Sequence, residues 1–79
     1  MDTLQQAIFA LQELEQDVTT PRIVKTRIAT TLKLLNDSGE TSIKVSKALH
    51  ELENLSEDVN VQSYTRTQLF NIVSLLEIV

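Results

Sequence analysis

The chain has 79 residues, a formal net charge of −4 from seven Lys and Arg against eleven Asp and Glu, one glycine, one proline and no cysteine. That length admits one domain, close to the lower limit at which an apolar core outweighs chain entropy unaided, and the missing cysteines exclude disulfides, thiolate zinc sites and a thiol nucleophile. So few turn-forming residues cannot punctuate a many-stranded β protein, which leaves helices as the economical solution.

The first predicted helix covers about 3–17. Leu4, Ala7, Ile8, Leu11, Leu14 and Val18 recur at three and four residues and share one stripe at 3.6 residues per turn. Thr20 then suits an N-cap and Pro21 the first helical position, where a missing amide hydrogen costs nothing. The second segment, 21–36, is two-sided. Val24, Thr26, Ile28, Thr30 and Leu32 alternate with Lys25, Arg27, Ala29, Thr31 and Lys33 as a half-buried strand would, yet Val24, Ile28, Leu32 and Leu35 also fit a helical stripe. The Pro21 start signal and the helical pattern of the matching segment 63–79 decide for helix.

Asn36 to Thr41 forms a short link, with Gly39 available for a left-handed turn and Thr41 or Ser42 as the next cap. The third helix, about 42–58, carries the stripe Val45, Ala48, Leu49, Leu52, Leu55 and Val59. The fourth, about 62–78, differs from the others: from Leu69 to Val79 eight of eleven residues are apolar. They spread around more than half its circumference, so it is expected to lie centrally or to carry a partner contact.

An offset of 41 residues superposes the two halves. Leu11 meets Leu52, Leu14 meets Leu55, Asp17-Val18 meets Asp58-Val59, Thr26 meets Thr67, and Leu34-Leu35 meets Leu75-Leu76. A shared period of this length signals one supersecondary unit used twice. Short links make neighbouring helices antiparallel. The expectation is therefore an all-α, four-helix antiparallel bundle in a single domain over 1–79, built from two similar helical hairpins at about 3–36 and 42–78. Its core should comprise Leu11, Leu14, Ile28, Leu32, Leu52, Leu55, Leu69, Ile72, Val73 and Leu76.

Residues with chemistry are sparse. His50, the sole histidine, falls opposite the apolar stripe, and the Glu-x-x-His spacing of di-iron bundles is absent, so a solvated side chain is expected. The acidic residues Glu13, Glu15 and Asp17, and Glu51, Glu53, Glu57 and Asp58, close the first helix of each hairpin against the helix dipole. Only Asp17 and Asp58 correspond, and capping of the turn by their carboxylates outweighs a divalent cation as their role. Arg22, Lys25, Arg27 and Lys33 form a candidate basic patch without an acid between them, although the chain has only Phe9, Tyr64 and Phe70 for base stacking.

No Ser-His-Asp set, glycine-rich phosphate loop or metal motif supports an enzyme, and no catalytic residue, metal or cofactor is expected. The preferred reading is a non-catalytic interaction module that self-associates or docks on a protein partner through its C-terminal helix, with Phe70, Ile78 and Phe9 as interface candidates. The alternative is a small RNA- or ribosome-associated binder using the basic second helix, which the net negative charge disfavours. The opening residues lack a basic n-region, and no apolar run approaches the roughly 18 residues that span a bilayer. A cytoplasmic protein without membrane contact is expected.

Pro21-Arg22 with Val24, Ser56-Glu57-Asp58, and Thr65-Arg66-Thr67 followed by Asn71-Ile72 and Leu75-Leu76-Glu77 together resemble a family of small uncharacterised archaeal proteins (UPF series) of four-helix, double-hairpin type. Gln62 departs from it, standing where the family is expected to repeat the proline at Pro21. The resemblance implies a four-helix bundle and an archaeal, cytoplasmic setting, and no assigned activity.

Overall fold

The computed structural model describes residues 2–79. Four helices follow one another: α1 (Thr3–Gln16), α2 (Arg22–Leu35), α3 (Thr41–Ser56) and α4 (Ser63–Glu77). Segment 21–36, which also fits a strand pattern, is helical: its β-branched residues bury Val24, Ile28 and Thr31 on one side together with Leu32 and Leu35. Packing along that stripe overrides their weak helix propensity.

Each helix touches its two neighbours in a ring, α1 on α2 and α4, α3 on α2 and α4, while the diagonal pairs stay apart. Reversal at every link makes this an antiparallel bundle of two hairpins. All ten residues expected in the core are buried, joined by Ala7, Ile8, Val24, Leu35, Val45, Ala48 and Val61. Two buried hydroxyls are absorbed locally: Thr31 Oγ1 donates to Arg27 O at 3.0 Å and Ser56 Oγ to Glu53 O at 2.8 Å. Helix α4 is not central. It occupies a corner like the other three, burying Thr65, Leu69, Ile72, Val73 and Leu76 and leaving Phe70, Ile78 and Val79 exposed.

The helix ends differ from the sequence expectations in instructive ways. Asp2 caps α1 by accepting from Gln5 N at 2.8 Å. Thr20 does not cap α2. Pro21 is itself the N-cap in extended geometry and α2 starts at Arg22. Thr20 is buried instead and its Oγ1 donates to Leu14 O at 3.0 Å, a carbonyl at the end of α1 that also accepts from Asp17 N at 3.3 Å. Its repeat mate Val61 is buried as well.

Thr41 and Ser42 do not cap α3 either; Glu40 holds that position without a side-chain hydrogen bond. Gly39 keeps a negative φ, and a β-carbon built on it would meet nothing within 4 Å. Gly39→Ala should therefore raise stability by about 0.4–1 kcal/mol by restricting the unfolded chain, a small upward shift of the thermal midpoint that a denaturation series resolves. Val18 and Val59, assigned above to the apolar stripes, are 92 % and 91 % exposed. The helices end before them, at Gln16 and Ser56, so the following turns carry these valines outward and bring Thr20 and Val61 in.

Candidate functional site

The repeat is most literal where α1 passes to α2 and α3 to α4. Asp17 Oδ1 accepts from Thr19 N at 2.8 Å, as Asp58 Oδ1 accepts from Asn60 N at 2.8 Å. Thr20 N reaches Asp17 O at 3.1 Å, and Val61 N reaches Asp58 O at 3.1 Å. Both carboxylates thus fold the turn over themselves, the local geometry at which aspartate excels. The Thr19 hydroxyl also donates to Asp17 at 2.7 Å. This bond and the Thr19 amide hold the Asp17 carboxyl below its ordinary pKa, with a smaller contribution from the charge of Lys25.

The two turns differ in what binds them to the bundle. In the second, the Arg66 guanidinium donates from Nε to Ser56 O at 2.9 Å, and from Nη2 to Asp58 O and Val61 O, both at 3.2 Å. One side chain of α4 thereby collects three carbonyls that no helix satisfies. Its mate in the first turn is Lys25, which acts on Asp17 only through its charge.

The four candidate cations of α2 do not form one patch. Lys25 and Arg27 lie about 160 degrees apart around the helix. Lys25 turns toward α1, and Arg27 toward α3, where its Nε and Nη2 donate to Glu51 Oε1 at 3.1 and 3.0 Å. Arg22 and Lys33 are exposed, at opposite ends of α2. His50 is exposed on α3, its Nε2 3.3 Å from Asn54 Nδ2 one turn further on. Among the described residues, no group of three or more His, Asp or Glu is arranged to hold a metal ion, nor is any helix long and apolar enough to cross a membrane.

The interface candidates sit in separate places. Phe9 lies on the outer side of α1, Phe70 on a flank of α4 about 100 degrees from Leu69, and Ile78 at the C-cap of α4. All three are at least half exposed, and Tyr64 is exposed as well. Sequence reasoning missed Ile23, Ile43 and Tyr64 as exposed apolar side chains. For two of them a signal was available, since Ile23 and Tyr64 are matched by the offset of 41 and both stand off the core stripe just past an Asp-Val turn.

Comparison with known proteins extends the likeness across the whole bundle. A UPF0147 protein of Sulfurisphaera tokodaii is 32% identical over 77 residues, spanning 96% of this chain and 86% of that protein. One from Archaeoglobus fulgidus is 33% identical over 75 residues, spanning 94% of this chain and 85% of its own length. The crystal structure of a UPF0147 protein from Thermoplasma acidophilum superposes with a TM-score of 0.92 at 27% identity, covering 96% of this chain and 91% of that one. The model of the uncharacterised protein family UPF0147 matches residues 1–79. With the family model matching the full chain and relatives about one-third identical covered over most of their own length, the chain belongs to the UPF0147 family.

Proposed function

We propose that this protein is a non-catalytic helical interaction module that associates with a second copy of itself through α4, with Phe70 at the centre of the contact and Ile78 about two turns further along at the end of the helix. The observation that carries the reading is the exposure of Phe70, 53 %, beside a core that is complete without it. The repeat sharpens the point. The mate of Phe70 in α2 is Ala29, so the first hairpin folds with a methyl group where the second holds out a phenyl ring. A domain this short of buried area gains stability by covering such a ring, and a two-fold dimer is the commonest arrangement that does so. Large apolar side chains left on a surface mark contacts more often when they are aromatic.

The alternative, RNA binding by α2, loses support because Arg27 is engaged by Glu51 and Lys25 lies on the other flank. The two readings also respond oppositely to salt: phosphate binding weakens steeply, whereas apolar association persists or strengthens. Sedimentation of the wild type and of Phe70→Glu tests the proposal. The expected result is a dimer at tens of micromolar that the substitution separates into folded monomers. A wild-type monomer at that concentration ends it.

A further inference from the structure

The repeat makes two side grooves of the bundle directly comparable. In the groove between α2 and α3, Arg27 lies against Glu51 with both side chains about 30 % exposed. The shift of 41 residues exchanges Glu51 for Ala10 and Arg27 for Gln68. Those two residues do meet in the matching groove between α1 and α4, where they line a pocket of about 210 Å³ together with Glu13, Leu14, Asp17 and Tyr64. The same architecture therefore occurs twice, once filled by the protein's own guanidinium and its carboxylate partner, and once with both shortened.

The lining of the open pocket states what it accepts. Glu13 and Asp17 supply two carboxylates, and the Thr19 hydrogen bonds hold Asp17 in its charged form. Gln68 adds an amide oxygen, Tyr64 an aromatic ring, Leu14 and Ala10 an apolar wall, and no Lys or Arg lines it. This combination suits an organic cation better than a metal ion, since Asp17 Oδ1 is already taken by two donors from Thr19 and ring and methyl groups ligate no metal. A guanidinium is the cation that pairs with carboxylates through a planar fork and also stacks on a tyrosine. The free amino acid is a poor fit. Its own carboxylate would face Glu13 and Asp17 with only the nearby charge of Lys25 to offset it.

We infer that the α1–α4 groove is a receptor for an arginine side chain presented by a protein partner, with Glu13 and Asp17 as the charge partners, Gln68 as a further acceptor and Tyr64 as the stacking surface. The site is separate from the Phe70 flank and stands whether or not α4 mediates association.

The test is titration of the full-length protein with N-acetyl-arginine amide, followed by amide chemical shifts. Saturable shifts at Ala10, Glu13, Tyr64 and Gln68, and none around Arg27 and Glu51, are expected. Glu13→Gln, an exposed position that leaves the core intact, should weaken binding roughly fivefold, the size of a partly screened charge pair. Ala10→Glu with Gln68→Arg should install the second copy of the Arg27–Glu51 pair and abolish the shifts, and far-UV circular dichroism checks that this variant folds. Absence of saturable shifts, equal binding of the uncharged N-acetyl-norleucine amide, or an unchanged affinity in Glu13→Gln would each overturn the proposal. Free arginine binding as tightly as the blocked form would overturn the assignment to a partner side chain.

Discussion

Replacing Arg66 with alanine should lower the stability of the protein by about 2–4 kcal/mol, far more than loss of a surface charge would cost. The guanidinium serves Ser56 O, Asp58 O and Val61 O at once. These carbonyls lie at the end of α3 and in the turn that follows, where helical partners have run out. Arg66 itself is only partly exposed, so removing it takes the guanidinium donor from Ser56 O and Val61 O, leaves Asp58 O with Val61 N alone, and frees the turn that seats Val61 in the core. Lysine should not rescue it, because a single ammonium on a flexible stem cannot reproduce a fork that reaches three oxygens. The internal control is Lys25→Ala at the matching position, expected to fall within about 0.5 kcal/mol of wild type. Urea denaturation of the three variants checks the pattern, and an Arg66→Ala midpoint equal to that of Lys25→Ala would contradict it.

Leu52→Ala should be the most damaging single truncation, at about 2–5 kcal/mol, with Leu11→Ala close behind. Both leucines are 0 % exposed and occupy equivalent positions on the first helix of each hairpin. The cost combines lost transfer free energy with a cavity that four packed helices cannot collapse around. A domain of this size typically has about 4–12 kcal/mol in total, so either variant should be partly unfolded at 37 °C. Val59→Ser provides the contrast. Val59 sits between Asp58 and Asn60 in the same chain region but is 91 % exposed, and its replacement should leave the denaturation midpoint unchanged. Circular dichroism melts of the three variants read out the difference directly.

The bundle was legible in the sequence because burial follows a period, and the period survives in every helix. The stripe from Ala7 to Leu14 and its copy from Ala48 to Leu55 identify the core-facing side, and the repeat resolves the ambiguity of 21–36 in favour of helix. The ends were less legible. Thr20 has the composition of a cap, yet α2 starts one residue later with Pro21 as its cap, and the threonine side chain turns inward to Leu14 O. Val18 continues the stripe by spacing alone, but the stripe has meaning only while the helix lasts, and α1 stops at Gln16.

The surface was legible only in part. Charge along α2 suggested a patch, but spacing in sequence does not say on which flank a side chain falls, and Lys25 and Arg27 point to different neighbours. Arg66 gave no local signal of its role, since its three partners lie five to ten residues upstream and become a cluster only when the turn closes. The α1–α4 pocket is a pattern of absences, Ala10 for Glu51 and Gln68 for Arg27. It becomes visible once the structure shows that its counterpart is filled.

The central claim, association through α4, is tested most directly by mapping solvent access in solution with a soluble paramagnetic relaxation agent, on dilute and on concentrated protein. The account predicts that Phe70, Asn71 and Ile78 lose relaxation enhancement as concentration rises while Val18, Ile23 and Val59 keep theirs. Equal access at Phe70 and Val59 at every concentration, up to the limit of solubility, would contradict it.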